Sequence, residues 1–168
     1  MEATQMESNQ TAAAAPVITP EALLEHWQGH RRLTRRVIEA FPEEAFFNYS
    51  IGGMRPFAVL VMEMLGMAGP SMVGVATREW PAFTPTAMPA TKKEVLQQWD
   101  EATEQINRYW AQIPPGRFQE HDVAFGVYAG NIYSHLLYFI DNEVHHRGQG
   151  YVYLRALGIE PPPFWVRD

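Results

Sequence analysis

The chain has no cysteine among its 168 residues. That excludes disulfides, thiolate metal sites and a cysteine nucleophile, and leaves imidazoles, carboxylates and amides as the possible metal ligands. Basic residues are also short: 13 Lys and Arg face 19 Asp and Glu, a formal net charge of -6. A nucleic-acid partner is not expected, because phosphate binding needs a basic surface. The first twenty residues lack the basic start and long apolar run of a secretory signal, and residues 1–18 read as a flexible leader. Long membrane-type segments are lacking too. The one candidate, Pro56 to Thr77, carries Glu63, Gly66, Gly69 and Pro70, which makes a poor spanning helix. A soluble cytoplasmic protein with no membrane partner is the expectation, and residues 19–168 read as one domain.

What the sequence does have is helical periodicity. Thr19 caps and Pro20 opens a first helix that Pro42 ends, with Leu23, Trp27, His30, Thr34, Val37 and Phe41 on one face. The run "HRRLTRR" within it reads as a mostly solvated face. A second helix, from Arg55 to Ala76, is apolar almost all round and should kink at Pro70. Thr91 and Glu94 have capping-box spacing at the head of a third. A fourth spans Asn131 to Leu157 and stops at Gly158. The stretches "EWPAFTPTAMP" and "PPGRFQEHDVAFG" read as long linkers, so at least one crossover connection is expected in an all-α four-helix bundle.

The fourth helix holds the polar groups hardest to explain. At about 100° per residue, His135, Asn142, His146, Gln149 and Tyr153 share one stripe. Asn142 and His146 are about 6 Å apart along the axis and can reach one ion; His135 is too far away to join them, and His145 points elsewhere. Glu63 is the only ionisable side chain between Arg55 and Arg78. A buried carboxylate there needs a proton or a cation, and His146 is its natural partner if the second and fourth helices face each other. His30 could line the same pocket. Two readings stand at this point: a metal site, or a metal-free hydrogen-bonded pair with His30 as an ordinary core histidine.

The segment "NEVHHRGQGYVYLRALGIEPPPFW", and more weakly "SIGGMRPFAVLVMEML", resembles the DinB/YfiT-like family of helical proteins. The resemblance implies a four-helix bundle with a long crossover, a homodimer, and a divalent metal such as nickel or zinc held by three histidines. Carried over by position, those three places are Glu63, Asn142 and His146, of which only the last is a histidine here. Glu143, three residues before His146, is a further candidate ligand. The resemblance also implies a metal-dependent thiol S-transferase or hydrolase acting on a small-molecule thiol or electrophile, with His30, Tyr138 and Gln149 as supporting or substrate contacts. The other reading is a non-catalytic, stress-associated homodimer with an altered metal site; a third is a metal-free small-molecule binder. No catalytic residue is singled out.

Overall fold

The computed structural model describes residues 16–82, 84 and 86–168. Most of the expected leader, residues 1–15, lies outside them, and Pro16 to Ile18 are exposed. The described residues are mostly helical and form five α-helices: α1 (Pro20–Ala40), α2 (Glu43–Asn48), α3 (Phe57–Thr77), α4 (Lys92–Trp110) and α5 (Ile132–Ala156).

The helix ends follow local chemistry. Thr19 Oγ1 accepts from Ala22 N–H at 3.1 Å, and Thr91 and Glu94 close a reciprocal capping box at the head of α4. Gly158, at φ 75, ends α5 in the left-handed conformation that glycine adopts without strain. α3 runs unbroken through Pro70. Ser71 Oγ donates to Met67 C=O beside the place where the proline has no N–H to give.

α1 packs against α4 and α5, and α3 packs against the same two. α1 and α3 therefore lie across from one another, as do α4 and α5, and the links between them cross the molecule. α3 is long and apolar enough to cross a membrane. Here it is the core helix, burying Phe57, Leu60, Val61, Met64, Met72 and Val75 against its neighbours. Each such side chain contributes about 1.5–3 kcal/mol when fully removed from water.

The apolar interior falls into two clusters. One gathers Val37, Phe41, Phe57, Leu60, Trp99 and Tyr153; the other gathers Trp27, Met72, Val75, Ile106, Trp110 and Leu136. Buried polar residues of α1 and α5 interrupt the apolar series between them: Arg31 and Thr34 on one helix, Glu143 and Arg147 on the other.

Two features depart from the sequence reading, the second of them in a segment expected to be a linker. The six-residue helix α2 follows α1, and the α4–α5 connection is folded into a 3-10 turn (Pro115–Gln119) and a hairpin, β1 (His121–Ala124) with β2 (Tyr128–Asn131). The strands pair antiparallel from His121↔Asn131 to Ala124↔Tyr128. Phe125 and Gly126 turn the corner at φ 54 and 72. Two successive positive φ values are the pattern of a type I′ turn.

Candidate functional site

α5 presents two polar faces, each to a different helix. Toward α3, His146 Nε2 lies 3.0 Å from Glu63 Oε1, and Asn142 Nδ2 is 3.4 Å from the same oxygen. Gln149 Oε1 is 2.7 Å from His146 Nδ1, and Gln149 Nε2 turns to Met54 Sδ at 3.8 Å. The helical spacing from 142 to 146 and 149 sets these three side chains on one stripe facing α3.

Arg55, in the loop before α3, places Nη1 2.5 Å from Glu63 Oε2. Its part was not readable from helical periods. Glu63 is not the dry carboxylate expected from the sequence: its side chain is 33% exposed, while that of His146 is 6% exposed. Burial disfavours the charged form of Glu63, but hydrogen bonds from His146 and Arg55 outweigh it and hold the carboxyl below its usual range.

The second face meets α1. Glu143 is 2% exposed and accepts from Thr34 Oγ1 at 2.7 Å and from Trp27 Nε1 at 3.3 Å. Arg31 and Arg147 stand 3.6 and 3.9 Å from its oxygens. Arg31 also donates to Trp99 C=O and Thr103 Oγ1, and its guanidinium sits 3.7 Å over the Trp99 ring. Burial pushes Arg31 down to about 10, so it stays charged at neutral pH.

His30 belongs to this second cluster. Arg147 Nη2 lies 2.9 Å from its Nδ1, and His26 Nε2 lies 3.2 Å from its Nε2. Burial, then the charge of Arg147, lowers its pKa from 6.5 to about 3, so it is neutral. These contacts correct several expectations. His30, on α1, and Glu143, on α5, belong to the contact between those two helices and do not share the His146 site. Arg31, read as solvated, is 1% exposed; its place one turn after Trp27 was the available signal. Tyr138 is 58% exposed and lines a separate cavity. A larger open groove of about 880 Å³ between α1 and α4 holds none of the candidate residues.

The α3–α5 face makes a poor metal site. Among the described residues no group of three or more His, Asp and Glu side chains could hold an ion. The face offers one imidazole, one carboxylate and an amide, and the carboxylate already carries a guanidinium. A structural zinc site has four protein ligands and a catalytic one three. The residues present do not fit the three-histidine ion that the resemblance implied.

What these observations define is a mostly helical protein with a half-open charged cluster between two of its long helices. The DinB family model matches residues 92–168. A DinB-like protein from Bacillus cereus has a TM-score of 0.71 at 15% identity, over 85% of this chain and 95% of that one. A DinB-like protein from Bacillus subtilis has a TM-score of 0.66 at 15% identity, over 87% of this chain and 99% of that one. No curated protein matches the chain significantly. Its C-terminal part is thus similar to the DinB family, and its fold is shared with these two DinB-like proteins.

Proposed function

We propose that this chain is a DinB-like four-helix bundle with a long crossover in which the metal position has become a self-contained charge cluster. It acts as a homodimeric, non-catalytic binding protein. Arg55 carries the reading. Its guanidinium takes one oxygen of Glu63, while His146 and Asn142 converge on the other. Two unit positive charges 4 Å apart repel by about 4 kcal/mol near a protein surface, and a divalent ion doubles that. An incoming metal must therefore displace Arg55 or bind against it.

A second reading, the metal-dependent transferase or hydrolase, is favoured by one feature. Gln149 Oε1 accepting from His146 Nδ1–H fixes the ring so that Nε2 faces Glu63 Oε1. Metal-bound histidines are commonly held this way by a second hydrogen bond.

One experiment separates the two. Protein purified without a metal-affinity tag is assayed for metal content and titrated with nickel and zinc, alongside Arg55→Ala, Glu63→Gln and His146→Ala. The wild type is expected to carry no stoichiometric metal, and Arg55→Ala to bind the added ion at least roughly tenfold more tightly than wild type, as relief of that repulsion requires. Wild-type protein holding about one equivalent that both Glu63→Gln and His146→Ala lose would overturn the metal-free reading.

A further inference from the structure

A second cavity begins one turn farther along the same pair of helices, since Met67 follows Glu63 on α3 and Tyr138 precedes Asn142 on α5 by four residues each. Its volume is about 290 Å³, and Met67, Phe125, Tyr128, His135, Tyr138 and Phe139 line it. Among the described residues, none that lines it is an Asp, Glu, Lys or Arg. It is an aromatic pocket with one strongly polar ring. His135 is 8% exposed, and its buried Nε2 has no hydrogen-bond partner among the described residues. Buried polar groups are nearly always paired, and one that is not calls for an explanation.

The hairpin supplies a second, independent observation. Phe125 adopts φ 54, in the left-handed region that a bulky side chain rarely enters. Type I′ turns favour Asn or Gly at such a position. The unfavourable choice sets the Phe125 ring 5.4 Å from Trp80, which in turn stands 5.9 Å from His135. Gly130 lets the strand lie close under the imidazole, because a Cβ there would come within 3.1 Å of the His135 ring. A strained aromatic residue and an unpaired imidazole at one cavity point to a binding role.

We infer that this pocket binds a small uncharged aromatic compound bearing a hydroxyl group, whose O–H meets His135 Nε2. The chemistry follows from the lining. With no charged side chain to neutralise an ion, the ligand is neutral. Aromatic rings and the Met67 thioether favour an arene. A hydroxyl both donates and accepts, so it meets Nε2 in either tautomer of the imidazole. A dry cavity of about 150 Å³ takes benzene, so the space here suits one ring with a short substituent. The inference does not depend on whether the Glu63–His146 cluster holds a metal.

The test uses the full chain and two probes of nearly equal shape, 4-methylphenol and 4-methyltoluene, titrated by protein-observed NMR on the Met67 methyl and His135 ring signals. 4-Methylphenol is expected to bind about fivefold to tenfold more tightly than 4-methyltoluene, the difference one matched hydrogen bond gives. His135→Phe should abolish that difference. Equal wild-type affinities for the two probes would overturn the role of His135, and no binding of either at its solubility limit would overturn the pocket. If His135→Phe does not fold, Tyr138→Ala at an exposed position carries the test: weaker binding of both probes supports the pocket, and unchanged binding overturns it.

Discussion

His30 sits between two basic partners, with Arg147 on one ring nitrogen and His26 on the other. Its folded pKa of about 3 lies below the 6.5 of the free side chain. Between those values the unfolded chain binds a proton that the folded chain refuses, so stability rises with pH across this window and is lost as pH falls from 6.5 toward 3. The slope from one such group is about 1.4 kcal/mol per pH unit. Urea unfolding at about pH 7 and about pH 5 should show a clear loss in the wild type and a smaller one in His30→Gln; equal losses would contradict a neutral buried His30. Glu63 works in the same direction but lower down. Its depressed carboxyl adds stability that is present above 4.5 and lost as pH falls through the folded value, so the interval from 6.5 to 4.5 reports on His30. Part of this residue-scale picture was legible in the sequence. The four-residue spacing of Asn142 and His146, and the isolation of Glu63 within an apolar helix, pointed to their meeting. Arg55 was not legible, because it stands in a loop where no period fixes a direction. The split between His30 with Glu143 and His146 with Glu63 was not legible either, because α5 shows its polar groups to two helices at once.

Close approach governs the contact between α3 and α5. A Cβ on Gly150 would stand 2.5 Å from Phe57 Cε2 and 2.7 Å from its Cζ. Phe57 cannot move aside easily, being fully buried and stacked on Phe41 with ring centroids 4.7 Å apart. Gly150→Ala is therefore expected to cost about 1–3 kcal/mol through overpacking. Gly148, two residues earlier in the same helix, would carry a methyl group with nothing within 4 Å of it. Gly148→Ala should stabilise by about 0.5–1 kcal/mol, since alanine loses less freedom in a helix. Denaturant midpoints of the two variants should thus move in opposite directions; two shifts of the same sign would contradict the packing described. At this scale the long helices were legible because capping residues and prolines mark their ends: Thr19 with Pro20, Thr91 with Glu94, and Gly158. The hairpin was not, because its turn places Phe125 where the usual signal is an asparagine or glycine, and its short strands carry no alternation of apolar and polar residues.

For the molecule as a whole, the outward side of α5 is the surface that needs an explanation. Tyr133, Leu137, Val144 and Val152 are exposed by 38, 44, 39 and 54%. Their spacings of four, seven and eight residues bring them onto one side of the helix. A second copy of the chain is the occupant this face suits, because a two-fold axis lets one apolar stripe serve both partners. Each chain carries a net charge of -6, so two copies repel through their fields, and screening by salt should tighten the pair. Light scattering is expected to give twice the 19.2 kDa chain mass, with the dimer persisting to lower protein concentration as ionic strength rises. Leu137→Glu combined with Val144→Glu places four added carboxylates in a symmetric interface and should leave a folded monomer, its helicity unchanged because both positions already face water. A wild-type mass of one chain, or a double variant that stays dimeric, would refute this face as the interface.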